Sequence, residues 1–112
     1  MPQYRLMAVT NAQPGREAEF ERWYDEQHLP DLMKVPGVIG AQRFRTVAGM
    51  EGPLTWRFVT LYTLDTEDLA GVMQELGRRI NTPDMPLTDA GDFSAGGAVM
   101  VELVGGIGQT VV

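Results

Sequence analysis

The chain has 112 residues, 44% of them hydrophobic, with nine Lys and Arg against 15 Asp and Glu, a formal net charge of −6, one histidine and no cysteine. That length buries a single core, and an acidic balance with no Lys/Arg cluster argues against nucleic acid or an anionic membrane surface as partner. Without cysteine there is no disulfide framework, thiolate nucleophile or Cys-type zinc site, and a single histidine leaves room only for an oxygen-rich or single-imidazole metal site.

No apolar run approaches the roughly 20 residues a membrane span needs, and the start has no basic-then-apolar pattern of a signal peptide, so a cytoplasmic protein without membrane contact is expected. Residues 4–10 are mostly apolar and bounded by Asn11 and Pro14-Gly15, the pattern of a buried strand. Pro14-Gly15 opens a helix running to about Gln27 or His28, with Glu17 and Glu19 near its positive end. Pro30 interrupts its ladder, residues 31–34 add a further turn, and Pro36-Gly37 closes the unit. A second strand over 38–47 places Gln42, Phe44 and Thr46 on one face and Arg43 and Arg45 on the other.

The turn composition of 48–53 predicts an antiparallel return into a third strand over 55–64, where Trp56, Phe58, Thr60 and Tyr62 share a parity. Asp65-Thr66-Glu67-Asp68 then reads as a helix start, and Leu69, Val72, Met73, Leu76 and Ile80 form an amphipathic stripe to about Asn81. Residues 82–97 read as a long Pro/Gly/Asp-rich loop, expected to act as a lid, and 98–104 as the last strand. The order is therefore βαββαβ: one domain over 1–104, with 105–112 as a C-terminal tail. Two strand–helix–strand halves give an α+β ferredoxin-like fold, a four-stranded antiparallel sheet with both helices on one face. The strands are apolar enough that the other face calls for cover, and a second copy of the same sheet, a homodimer, is the simplest.

Chemistry concentrates in 20–37. Phe20, Trp23, Tyr24, Gln27 and His28 recur at three- and four-residue steps, which on an α-helix aligns three rings and the only imidazole. His28 is the only side chain whose unperturbed pKa lies near neutrality, so it is the natural general acid or base, with Tyr24 one turn earlier to orient it or bind a substrate oxygen. The plain alternatives are a histidine capping a carbonyl and a tyrosine serving the core. Trp23, Phe20, Trp56, Phe58, Tyr62 and Phe93 are candidates to line an apolar cleft, or are simply core. Arg43 either meets a ligand's carboxylate or phenolate or pairs with the abundant acids. The spacing of Asp84, Asp89 and Asp92 matches no metal loop, and no phosphate loop or nucleophile elbow is present.

The spacing Phe20-x-x-Trp23-Tyr24-x-x-x-His28-x-Pro30, followed by Pro36-Gly37-Val38 and a strand carrying Arg43 and Phe44, resembles the EthD-like members of the dimeric α+β barrel superfamily. The resemblance implies homodimers in which two sheets close into a barrel, each subunit with a cleft between sheet and helices. It matches His28 to the helix histidine of the motif, with Trp23, Tyr24 and Pro30 as its neighbours. Similar folds host isomerases, polyketide cyclases, cofactor-free monooxygenases, haem enzymes and proteins of unknown role. This chain lacks the strand histidines of the cyclases, and a transfer of haem to His28 has little support. The expectation is a small enzyme without cofactor or metal. It would act by acid/base chemistry (isomerisation, cyclisation, elimination or oxygenation) on a hydrophobic, aromatic or polyketide-like molecule. The alternative is a non-catalytic ligand-binding or accessory protein with the same cleft.

Overall fold

The computed structural model describes residues 3–108, and the last four residues of the expected tail lie outside them. Strand β1 (Gln3–Ala12) leads into helix α1 (Glu17–Trp23), a π-helical turn (Tyr24–His28) and helix α2 (Leu29–Met33); β2 (Val38–Arg45), β3 (Phe58–Asp65), helix α3 (Leu69–Arg79) and β4 (Gly91–Glu102) follow. The four strands form one sheet in the order β2-β3-β1-β4, every pair antiparallel, which is the ferredoxin-like arrangement.

Alternation along the strands decides which face the helices cover. In β3 the residues Phe58, Thr60, Tyr62 and Leu64 are buried, and their partners across β1 are Thr10, Ala8, Leu6 and Tyr4. Phe20, Tyr24 and Leu32 from the first helical unit and Val72 from α3 pack into the same core. The opposite parity carries Val59 and Leu61 beside Val9 and Met7, with Phe44, Val99 and Val101 at 45, 51 and 42% exposure. One face is thus sealed by helices and the other is an uncovered, largely apolar sheet.

Four expected boundaries are corrected. The first helix is not one α-helix to residue 28, because a π turn interrupts it. The second and third strands are shorter than read, β2 ending at Arg45 and β3 starting at Phe58, so Trp56 is a loop residue outside the strand alternation. The fourth concerns β4, which begins at Gly91, so half of the expected 82–97 loop is strand. Its Asp92, Ser94, Gly96 and Gly97 have loop composition because they build a bulge. Val9 pairs with Gly97 and Asn11 with Asp92, leaving residues 93–96 looped out opposite Thr10. Gly96 is required there, since a Cβ would lie 2.4 Å from the Val9 carbonyl oxygen. The remaining connection is tied down: Asn81 N–H donates to Met85 O at 3.0 Å, Met85 N–H to Thr82 O at 2.9 Å, and the Met85 side chain is fully buried. Its apolar anchor closes the core, and only Leu87 and, on β4, Phe93 remain exposed as the expected lid residues.

Candidate functional site

The π turn originates in the sequence. Pro30 has no N–H to return to the Glu26 carbonyl, and its ring crowds that carbonyl. The ladder shifts by one residue upstream of it, so that Leu29 N–H bonds to Tyr24 O, five residues back. At about one extra residue per turn, positions 23 and 28 come onto one side. The Trp23 and His28 rings stack with centroids 4.5 Å apart and planes 20° from parallel, while Tyr24 meets His28 edge-on at 5.2 Å. Trp23 is held from the other side by its Nε1–H, which donates to Pro86 O at 3.1 Å. Behind them Phe20 is fully buried and contacts Tyr24 at 5.4 Å and Phe58 at 5.6 Å.

This aromatic ladder walls a cleft between the helices and the sheet. It has two lobes of about 280 and 300 Å³, and Ala8, Tyr24, His28, Ile80 and Ala98 border both. One lobe continues to Leu6, Tyr62, Leu76 and Met85, the other to Thr10, Trp23, Leu87 and Phe93. The room exists because small residues, Ala8 and its cross-strand partner Ala98, stand where the sheet passes under the helices. No charged side chain lines either lobe. His28 stands at the waist between them.

His28 is 9% exposed, and burial pushes its pKa down to about 4 against the opposing pull of Asp31, so the ring is neutral at pH 7. Its Nδ1 is enclosed without a hydrogen-bond partner, which leaves Nε2 as the nitrogen toward the cleft. Asp31 follows one turn later, 4% exposed, its Oδ2 accepting from Gln27 Nε2 at 2.6 Å. The hydroxyls of Thr10 and Thr60 are also enclosed without partners, and burial together with the neighbouring Tyr24 raises the Tyr62 pKa, keeping that phenol protonated.

The structure brings together five of the nine residues singled out in the sequence: His28, Tyr24, Trp23, Tyr62 and Phe93 all border the cleft. Phe20 and Phe58 stand behind it in the core. Arg43 does not enter it. Its guanidinium pairs with Asp25 (Nε to Oδ1, 2.8 Å) and Glu21 (3.5 Å) and lies over the Tyr24 ring, 5.3 Å from its centre. Trp56 is elsewhere as well, its Nε1–H donating to Ala95 O at 2.7 Å and so clamping the β4 bulge. The sequence reading missed Asp31, Thr10 and Ile80 as residues of the site. For Asp31 a signal existed in its three-residue spacing from His28, which puts the two on neighbouring turns. Among the described residues no group of His, Asp and Glu is disposed to hold a metal ion, and no helix is long and apolar enough to cross a membrane.

The fold and the cleft can be set beside known proteins. No family model matches the sequence, and no curated protein does. Solved structures match in shape. An EthD family protein from Bacillus halodurans C-125 superposes with a TM-score of 0.54 at 15% identity, over 91% of this chain and 99% of the other. MhuD, in a variant with two manganese protoporphyrin IX bound per active site, gives 0.65 at 14% identity over 95% and 99%. A dimeric ferredoxin-like protein of unknown function from Thermobifida fusca gives 0.53 at 16% over 91% and 92%. The chain has the ferredoxin-like α+β fold of these proteins. The EthD-like expectation is supported at the level of fold.

Proposed function

We propose that this chain is a homodimeric protein whose helix–sheet cleft takes a hydrophobic, aromatic or polyketide-like small molecule, with His28 carrying acid/base chemistry on it and Tyr24 orienting the ring. The observation that carries this reading is the two-lobed apolar cleft with the only imidazole of the chain at its waist. A neutral, desolvated ring presents one nitrogen to the cleft, as an N–H donor or as a base according to its tautomer, and an apolar pocket raises the strength of every polar contact inside it. The reaction classes that fit are isomerisation, cyclisation, elimination and oxygenation. Binding of a tetrapyrrole by MhuD supports the use of this fold's cleft for large planar molecules. The test is a His28→Ala protein assayed against a panel of polycyclic phenols and ketones. Retained binding with lost turnover supports the enzyme, and unchanged turnover removes His28 from the mechanism.

One observation favours a second reading. A histidine held near pKa 4 is a weaker base than free imidazole by more than two orders of magnitude. A non-catalytic ligand-binding or accessory protein needs no such base, and binding without turnover by the unaltered chain would select it.

The uncovered sheet face supports the dimer. Met7, Phe44, Val99 and Val101 are exposed on it, and a second copy buries them against the same residues by two-fold symmetry. Light scattering after size exclusion at micromolar concentration should give twice 12.4 kDa. A monomer stable to dilution overturns this.

A further inference from the structure

We infer that the cleft is built for an uncharged ligand that presents an acceptor oxygen, a ketone or quinone carbonyl, to an Nε2–H of His28. The inference deepens the binding reading above and rests on it.

Three observations converge. First, among all the residues bordering the two lobes there is no Asp, Glu, Lys or Arg. The Arg43 guanidinium, 5.3 Å from the Tyr24 ring centre, is not among the lining groups and is committed to Asp25 and Glu21. An anionic ligand would therefore be desolvated with no cation to meet it, which costs several times what a neutral carbonyl pays. Second, His28 Nδ1 is enclosed and unpartnered, and Asp31, the acid on the next turn, is engaged with Gln27 and makes no hydrogen bond to the ring. An orphaned N–H is the rarer and costlier state for a buried group than an orphaned acceptor. The proton of the neutral ring thus belongs on Nε2, pointing to the cleft. Third, the ring is fixed in that orientation by Trp23 stacked on its face and Tyr24 against its edge, with Trp23 itself anchored to Pro86 O. Burial keeps the ring neutral near pH 7. A neutral imidazole so held polarises a carbonyl by hydrogen bonding without bringing a counter-charge.

The chain's single histidine makes the tautomer measurable in the whole protein. Long-range ¹⁵N–¹H spectra at pH 7 should show the neutral ring protonated on Nε2, and a dominant Nδ1–H form overturns the inference. For binding we would use three probes of one shape: naphthalene, 2-acetonaphthone and 2-naphthoate. The ketone is expected to bind about fivefold more tightly than naphthalene and to shift the His28 signals, the preference vanishing in His28→Ala; about fivefold is what one net hydrogen bond supplies. The carboxylate is expected to bind at least about tenfold more weakly than the ketone. If naphthalene binds and the ketone gains nothing, or 2-naphthoate equals the ketone, the inference falls and the apolar cleft stands. If neither naphthalene nor the ketone binds, the cleft reading falls with it.

Discussion

The two strand–helix–strand halves are built on one plan and finished differently. In the second half α3 is a regular helix. Asp68 caps its start, Arg78 and Arg79 pair with Glu75 near its end and hold that carboxyl down at about 2, and its single buried side chain is Val72. In the first half the helical unit is broken by a π turn and Pro30, carries the buried residues Phe20, Tyr24, His28, Asp31 and Leu32, and leaves one ring nitrogen, His28 Nδ1, enclosed without a partner. A regular helix satisfies its own backbone and needs only a stripe of apolar contacts. The irregular one places rings at a five-residue spacing that no α-helix offers, and it accepts an unmet ring nitrogen in exchange. That is the expected mark of a site, where local rules yield to chemistry. Size alone would mislead: a hollow of about 530 Å³ beside the start of α3 is larger than either lobe of the cleft, but it is open and walled by Asp65, Glu67, Asp68 and Glu75.

The asymmetry can be broken by mutation. Phe20→Ala removes the ring against which Tyr24, Trp23 and Phe58 pack and should cost about 3–5 kcal/mol in denaturant titration. Val72→Ala, the matching deletion in α3, should cost only about 2 kcal/mol. Equal costs would mean that the two helical units share the core evenly.

A pH series sharpens the same contrast. His28 titrates near 6.5 when unfolded and near 4 when folded, so between those values the unfolded chain holds more protons and stability falls as pH falls. The contribution is fully present above about pH 7 and lost through pH 4. Between pH 7.5 and 4.5 the unaltered protein should lose about 2–3 kcal/mol more than His28→Gln, the carboxylates common to both cancelling. Equal losses in the two proteins would show that His28 is not buried as a neutral ring.

Much of this arrangement was legible beforehand, for physical reasons. The alternation of Phe58, Thr60, Tyr62 and Leu64, and the stripe through Val72 and Leu76, report burial directly, because one buried face per element is what a two-layer fold demands. His28, Tyr24 and Trp23 were legible as one cluster, although through a helical period that the structure replaces with a π turn. Other features were hidden because they depend on partners distant in sequence. The β4 bulge has the composition of a loop until Val9 and Asn11 define its register. Arg43 is drawn out of the cleft by Asp25, 18 residues away. Trp56 looks like a strand aromatic until the strand is found to start after it, and its indole proves to serve Ala95 on β4. The absence of charge along the cleft was the least legible property, since it belongs to side chains from β1, the first helical unit, α3 and β4 together.

The smallest expected effect lies at the start of the regular half. Asp68 Oδ1 accepts from Gly71 N–H at 3.0 Å, satisfying one of the donors that a helix leaves free in its first turn. Glycine at 71 lets the carboxylate lie close, because a Cβ there would stand 2.2 Å from Asp68 Oδ2 and that side chain would have to shift. Asp68→Ala should therefore cost about 1 kcal/mol and Asp68→Asn only a few tenths, both read from the thermal midpoint. The part of α3 that borders the cleft, Leu76 and Gly77, is two turns further on, so probe binding at His28 should not change in either variant. A loss of binding on removing the cap would show that α3 transmits disorder along its length, and that the regular half is a working part of the site rather than its support.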